Sequence, residues 1–159
     1  MRDKNVKNMK ILIMGLPGSG KTWLGKRLSK HLIIPYWDAD NVRGVYNDWD
    51  FTLKGRERQA LRMRRIAELD VVSISGFVCP LSTYRNYFAP DKIIWMDTIK
   101  EGRYEDTNKL FETPDKYDLR ITKWIKEGQL FKCLDGFNLG TEDIASFSNE
   151  LMRRLAKLL

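Results

Sequence analysis

The sequence predicts an α/β protein in which a mostly parallel central sheet of about five strands lies between two layers of helices, a three-layer α/β/α arrangement. Short apolar runs typical of buried strands recur along the chain, and segments with helical spacing of apolar residues lie between them. This alternation favours helical crossovers between parallel strands. With 159 residues, 43% of them hydrophobic, one domain covering residues 1–159 is expected to bury a core without disulfides or metals.

The first elements surround a glycine-rich loop. Residues 1–8 are polar and are expected to be a disordered leader, and the apolar run at residues 10–14 predicts a strand that ends at the loop. A helix is predicted over residues 22–32, because its leucines recur every four residues and therefore share one face. A second strand is expected at residues 33–37, just before two carboxylates.

The later elements repeat the alternation of helix and strand. An arginine-rich helix is predicted over residues 55–69, and apolar runs at residues 71–75 and 92–96 predict two buried strands. The chain is expected to close with an amphipathic helix over residues 141–159, which has Thr141 as its N-cap and basic residues toward its end.

One charged, weakly apolar segment interrupts this pattern. Residues 99–115 contain Gly102 and Pro114, and we expect them to form a mobile connection over the site, a candidate lid. A further strand is expected after it, at residues 117–122.

The glycine-rich loop carries the most specific motif. Residues 15–22 satisfy the phosphate-loop pattern G-x-x-x-x-G-K-[S/T] between an apolar strand and a helix. Backbone N–H groups of such a loop surround phosphate oxygens, while the lysine reaches the β- and γ-phosphates and the hydroxyl contacts Mg²⁺. The sequence therefore predicts ATP and Mg²⁺ as cofactors, with Thr22 as a metal ligand. The candidate ATP-binding residues are Gly15, Pro17, Gly18, Ser19, Gly20, Lys21, Thr22 and Arg103.

Composition and charge narrow the classes of protein to which the chain is expected to belong. The formal net charge of +7 suits anionic ligands, although a solvated basic helix face would explain it equally well. Cys79 and Cys133 are too few for a disulfide framework and lack the spacing of a zinc site, so we expect a cytoplasmic protein. No signal peptide or membrane span is apparent. The phosphate loop also serves switches and motors, but the short chain favours a kinase of a metabolite or nucleotide.

Two carboxylates follow the second predicted strand. In a parallel sheet, Asp38 and Asp40 would lie at the carboxyl edge beside the phosphate loop, where ligands bind. A hydroxyl acceptor needs a carboxylate that orients it and takes its proton. The alternative is that either residue merely caps a helix.

Four stretches together resemble the adenylylsulfate kinase family. Residues 38–43 read D-A-D-N-V-R, residues 49–52 read W-D-F-T, residues 76–80 read G-F-V-C-P and residues 94–97 read I-W-M-D. The family patterns are D-G-D-N-[VI]-R, G-F-S, S-F-I-S-P and V-D-T. The resemblance implies phosphorylation by ATP of the ribose 3′-hydroxyl of adenylyl sulfate, which yields 3′-phosphoadenylyl sulfate and ADP in sulfate assimilation.

The resemblance also implies roles for individual residues. Lys21, Asp38 and Asp40 would be catalytic, with Asp38 as the first choice for the proton acceptor. Asp40 would then hold Mg²⁺ through water, and the two assignments can be exchanged. Arg43 would bind the anionic group of the acceptor and Phe51 would stack on its adenine. The residues predicted to bind the acceptor are Asp38, Asp40, Asn41, Arg43, Phe51, Arg56, Gln59, Phe77, Val78, Cys79 and Arg85.

The chain departs from the family at three points. Gln59 stands where the family has asparagine, and Arg58 and Arg62 on the same predicted helix could substitute for the acceptor-binding residues. Cys79 replaces a serine and is expected to be a small packing residue. The candidate lid is shorter than in the family, which puts the acceptor in doubt.

Two other functions stay open. One is a kinase of the same fold that acts on another nucleotide-like or sugar-acid hydroxyl. The more distant one is a 5′-polynucleotide kinase or nucleic-acid-binding ATPase, suggested by the positive charge and five tryptophans. We expect a small nucleotide-like partner rather than nucleic acid or a membrane, and a homodimer stays open.

Overall fold

In the computed structural model, residues 7–140 and 143–159 are described, and a five-stranded sheet lies at their centre. The strand order is β2-β3-β1-β4-β5, and every pair of neighbouring strands is parallel. The strands are β1 (Met9–Met14), β2 (Tyr36–Asp38), β3 (Val72–Gly76), β4 (Lys92–Met96) and β5 (Leu119–Ile121). The predicted three-layer α/β/α fold is confirmed, and the five expected strands are present.

Seven helices connect or cover these strands within the described residues. They are α1 (Lys21–Leu32), α2 (Ala39–Tyr46), α3 (Leu53–Ala67), α4 (Ser82–Phe88), α5 (Glu105–Leu110), α6 (Glu127–Leu134) and α7 (Ile144–Ala156). No helix in the described ranges is long and apolar enough to cross a membrane.

The central strand β1 contributes to two separate cores. Successive strand side chains point to opposite faces, so Ile11 and Ile13 pack against α1, α6 and α7, whereas Leu12 and Met14 pack against α2, α3 and α4. All four side chains are fully buried. The apolar run that predicted a strand is therefore continuous because both faces of the sheet are covered by helices.

Several element boundaries differ from the expectations. The second strand is shorter than predicted, because Ile33 adopts a left-handed conformation (φ 56°) at the end of α1 and residues 36–38 alone pair with β3. The last helix begins at Ile144, where the side chain of Asp143 accepts the Ser146 N–H as N-cap. Thr141, the predicted cap, lies outside the described residues, as do residues 1–6 of the predicted leader.

Candidate active site

The loop between β1 and α1 leads into a helix start that has no side-chain N-cap. Gly20 precedes α1 with φ 100°, a conformation that favours glycine, and no side chain caps the helix. The first N–H groups of α1 therefore lack a side-chain partner and carry the positive end of the helix dipole. A Cβ atom on Gly20 would also lie 2.7 Å from the indole of Trp124, so glycine is required at this position on two grounds.

The ammonium group of Lys21 lies over the phosphate loop and has little contact with solvent. Its Nζ donates a hydrogen bond to the Leu16 carbonyl at 2.9 Å. Burial lowers the pKa of Lys21 to about 8, although the carboxylates of Asp40 and Asp38 oppose the shift. Arg103 lowers this pKa further, so both cations face the same space. Phosphate oxygens would replace the lost hydration of this amine.

Asp38 joins the phosphate loop to the start of α2. Its Oδ1 accepts the N–H groups of Asp40 at 2.9 Å and Asn41 at 3.3 Å, so the helix-cap alternative holds for Asp38. Its Oδ2 accepts the Thr22 hydroxyl at 2.9 Å and the Tyr36 hydroxyl at 3.3 Å. One carboxylate thus caps a helix and contacts the predicted metal ligand. Carboxylate and hydroxyl oxygens fit Mg²⁺.

Asp40 has a different environment from Asp38. It lies in the first turn of α2, is exposed and faces the cavity, and its carboxylate makes no hydrogen bond within the described part of the chain. Asp40 is therefore available to an incoming hydroxyl, whereas both oxygens of Asp38 are engaged.

A cavity of about 600 Å³ extends from the phosphate loop between α2, α3 and the candidate lid. Most of the predicted site residues line it: Pro17, Gly18, Lys21, Thr22, Asp38, Asp40, Arg43, Phe51, Arg56, Gln59, Phe77, Val78, Cys79 and Arg103. Five predicted residues do not line it: Gly15, Ser19, Gly20, Asn41 and Arg85. The cavity also contains residues that were not predicted: Ala39, Trp49, Gly76, Pro80, Tyr84, Tyr104, Asp106 and Thr107.

An aromatic ring next to two guanidinium groups forms one wall of the cavity. Phe51 is 49% exposed, and its ring centroid lies 4.3 Å from the guanidinium carbon of Arg43 and 5.4 Å from that of Arg56. Arg43 is 4% exposed and donates to the carbonyls of Asp48 and Asp50, both at 3.0 Å. This wall offers a planar apolar surface next to positive charge.

Arg56 also connects this wall to the candidate lid. Its Nη2 donates to the Thr107 hydroxyl at 3.3 Å and lies 3.9 Å from the Asp106 carboxylate, both on α5. The candidate lid lies close to the phosphate loop, since a Cβ atom on Gly102 would lie 3.1 Å from Pro17. Its mobility stays a prediction. The lid residues Tyr104, Asp106 and Thr107 could not be aligned from sequence, because only packing brings them to α3.

Three predicted acceptor-binding residues have structural partners. The Gln59 amide donates to the Ala39 carbonyl at 3.0 Å and so joins α3 to α2. Arg85 is buried and donates to the Cys79 carbonyl at 2.9 Å. This hydrogen bond holds the loop after β3 from the side away from the cavity. Burial raises the pKa of the Cys79 thiol, as expected for a packing residue. Arg85 therefore supports the cavity wall without lining it.

The proposed substitutes on α3 form ion pairs outside the cavity lining. Arg58 and Arg62 both pair with Asp48, at 2.8 and 2.9 Å, and neither lines the cavity. Hydrogen bonds from these guanidinium groups hold the pKa of the Asp48 carboxyl well below its usual range. Both residues lie outside the cavity lining, although Arg62 also donates to the Gln59 side chain at 2.8 Å. These positions give no support to the expectation that Arg58 or Arg62 replaces Arg56 or Gln59.

Comparisons with known proteins find kinases that act on small molecules. No protein-family model matches the chain. Shikimate kinase of Francisella tularensis subsp. novicida is 26% identical over 121 residues, a match that covers 69% of each chain. Shikimate kinase of Legionella pneumophila is 28% identical over 120 residues, with the same coverage of both chains.

Solved structures show the same fold. The APS kinase of Mycobacterium tuberculosis in complex with AMPPNP and APS superposes with a TM-score of 0.61 and 17% identity, covering 94% of this chain and 98% of that one. A gluconokinase from Sinorhizobium meliloti gives a TM-score of 0.55 and 14% identity, with coverage of 94% and 93%. The phosphate loop and these matches support a P-loop small-molecule kinase, and the acceptors in the names of these proteins differ.

Proposed function

We propose that the chain is an ATP- and Mg²⁺-dependent kinase whose preferred acceptor is adenylyl sulfate, phosphorylated at the ribose 3′-hydroxyl to give 3′-phosphoadenylyl sulfate and ADP. The observation that carries the proposal is the half-exposed ring of Phe51 next to Arg43 and Arg56, in a cavity that Asp40 and Lys21 also line. A purine ring can stack on Phe51 while a neighbouring guanidinium group binds the sulfate or phosphate oxygens.

The donor nucleotide occupies the phosphate loop in this proposal. The N–H groups at the start of α1 bind phosphate oxygens, and Lys21 and Arg103 stabilise the negative charge of the transferred group. Mg²⁺ held near Thr22 would neutralise charge on the β- and γ-phosphates. Phosphate transfer then requires a group that accepts the proton of the acceptor hydroxyl.

The contacts favour exchanging the roles first assigned to the two aspartates. The Thr22 hydroxyl donates a hydrogen bond to Asp38, which leaves the lone pairs of the Thr22 oxygen free for the metal. Asp38 therefore supports the Mg²⁺ site. The Asp40 carboxylate accepts no hydrogen bond within the described residues and faces the cavity, so it is our choice for the proton acceptor.

The topology supports separate positions for the nucleoside and the acceptor. The acceptor wall comes from segments that follow β2, while the other side of the phosphate loop faces the segment after β5. On that side Trp124 is 59% exposed and packs an edge of its indole against Gly20. With its phosphates bound in the loop, ATP would extend its purine toward the segment after β5 and stack it on Trp124.

The curated relatives favour a second candidate. Shikimate is a ring-bearing hydroxy acid, and the pair Arg43 and Arg56 would also suit its carboxylate. A sugar-acid or shikimate kinase is therefore the alternative acceptor class. Nothing in the cavity favours the 5′-polynucleotide kinase over these two.

A panel assay of ADP release tests the proposal. Adenylyl sulfate, shikimate, gluconate and a 5′-hydroxyl oligonucleotide would each be supplied with ATP and Mg²⁺. We expect the highest kcat/KM with adenylyl sulfate, and losses of about two orders of magnitude or more in Lys21→Ala and Asp40→Asn. Turnover with shikimate but not adenylyl sulfate would replace the acceptor and keep the reaction class.

The matched control is Asp135→Asn, which changes an exposed carboxylate at the end of α6. We expect it to retain wild-type kcat/KM. Equal losses in Asp135→Asn and Asp40→Asn would contradict a specific role for Asp40.

A further inference from the structure

Tyr36 occupies a slot that two glycines leave open. Its ring lies between Gly25 of α1 and Gly76 of β3. A Cβ atom on Gly25 would lie 2.3 Å from a ring carbon, and one on Gly76 would lie 2.2 Å from the hydroxyl oxygen. Neither glycine belongs to the phosphate-loop motif, so phosphate binding does not explain them. Both positions are explained by the space that the tyrosine ring needs.

The hydroxyl of Tyr36 reaches the group that supports the proposed metal site. Residues two apart on a strand share a face, so Tyr36 and Asp38 of β2 point the same way. The Tyr36 hydroxyl lies 3.3 Å from Asp38 Oδ2, the oxygen that also accepts the Thr22 hydroxyl. Since Oδ1 is bound to two N–H groups of α2, the carboxylate of Asp38 is fixed at both oxygens.

We propose that Tyr36 is a positioning residue for the Mg²⁺ site, acting through Asp38. Its hydroxyl holds Asp38 Oδ2 in the orientation that accepts the hydrogen bond of Thr22, which would leave the lone pairs of the Thr22 oxygen free for the metal. This inference rests on the proposed function, in which the phosphate loop binds a Mg²⁺–nucleotide complex.

The ring and the hydroxyl of Tyr36 have separable roles. A phenylalanine would fill the slot between Gly25 and Gly76 equally well, because the ring makes the packing contacts. Only the hydroxyl contacts Asp38. A role limited to packing therefore predicts no change in Tyr36→Phe, whereas the positioning role predicts a change confined to metal-dependent binding.

Calorimetric titration with a non-hydrolysable ATP analogue separates these cases. Its affinity would be measured with Mg²⁺ and again with EDTA, for the wild type and Tyr36→Phe. We expect the gain in affinity on adding Mg²⁺ to be about 3- to 10-fold smaller in the variant, the size of one hydrogen bond, and the affinity in EDTA to be unchanged. The Mg²⁺ concentration for half-maximal activity should rise by a similar factor, with an unchanged KM for the acceptor.

The matched control is Tyr87→Phe, which removes a tyrosine hydroxyl from α4, outside the cavity lining. It should behave as wild type. A full Mg²⁺-dependent gain in Tyr36→Phe, or an equal loss of affinity with Mg²⁺ and with EDTA, would overturn the inference while leaving the proposed function intact. A wild type that binds the analogue no better with Mg²⁺ than with EDTA would overturn both.

Discussion

At the scale of single residues, the site depends on groups whose neighbours change their chemistry. The Thr22 hydroxyl donates a hydrogen bond to the Asp38 carboxylate, which orients both side chains. Lys21 loses hydration in the folded protein, and its pKa falls to about 8 from its ordinary value of 10.5. Such a lysine is a strong ligand for phosphate, because an anion restores the favourable environment that burial removed.

The lowered pKa of Lys21 predicts how nucleotide affinity depends on pH. Phosphates bind the ammonium form, so affinity should be highest below pH 8 and should fall above it by up to about tenfold per pH unit. Dissociation constants for an ATP analogue between pH 7 and pH 9.5 test this expectation. Lys21→Met should bind weakly and lose the decline. The same decline in the variant would assign it to another group.

The same shift has a consequence for stability without nucleotide. The folded pKa of about 8 lies below the unfolded value of 10.5, so the unfolded chain holds this proton more tightly between those values. Lys21 therefore destabilises the folded state at neutral pH. Its unfavourable contribution diminishes as pH rises from about 8 to 10.5.

At the scale of elements, α3 and α5 meet across the cavity. Arg56 on α3 contacts Thr107 on α5, and Asn108 makes two hydrogen bonds with the backbone of Gly102, at 2.8 and 2.9 Å. At the other end of the lid, the Glu112 N–H donates to the Pro80 carbonyl at 2.7 Å. These contacts fasten the candidate lid to α3 and to the loop after β3.

Thr107→Val should loosen the lid without a large change in side-chain volume. Valine lacks the hydroxyl that Arg56 contacts, so the amides of residues 99–115 should exchange with solvent up to about tenfold faster, by local opening. Hydrogen exchange with mass spectrometry measures this rate. Lys109→Ala, which breaks an exposed ion pair with Glu105 on the same helix, is the control and should exchange as wild type. Equal exchange rates in all three proteins would contradict a contribution of the Arg56–Thr107 hydrogen bond to the stability of the lid.

At the scale of the whole molecule, the strand order places the two proposed binding surfaces on opposite sides of β1. β1 lies at the centre, with β2 and β3 on the side of Phe51 and with β4 and β5 on the side of Trp124. Ligands of parallel α/β sheets bind at the carboxyl ends of the strands, where the direction of the crossovers changes. The phosphate loop after β1 lies at this point, between the two surfaces.

This division predicts opposite effects for two aromatic substitutions. Trp124→Ala should raise the KM for ATP about tenfold and leave the KM for the acceptor unchanged, because only the nucleotide base loses a stacking surface. Phe51→Ala should do the reverse. Steady-state kinetics with both substrates varied measure both constants. Tripolyphosphate, which has no base, should inhibit Trp124→Ala and wild type equally. An effect of either substitution on both constants would contradict separate surfaces.

Local patterns in the sequence determined the sheet, α1, α3 and the phosphate loop. Apolar runs and helical periodicity depend on which faces of an element are buried, and the motif of residues 15–22 requires glycine, lysine and threonine at set positions. These features lie within about ten to fifteen residues of chain, so they can be recognised without tertiary contacts. The helices α2, α4, α5 and α6 were not predicted, because each has only six to eight residues, too few for a clear helical period.

The tertiary structure alone decided which side chains share the cavity. Arg56 meets Thr107 although 51 residues separate them, and the α3 helix directs Arg58 away from a site that Arg56 enters. It also decided that both carboxylate oxygens of Asp38 accept hydrogen bonds, whereas the carboxylate of Asp40 accepts none within the described residues. The physical reason is that the sequence encodes the chemistry of a group, whereas distance, burial and partners arise from the packing of elements far apart along the chain.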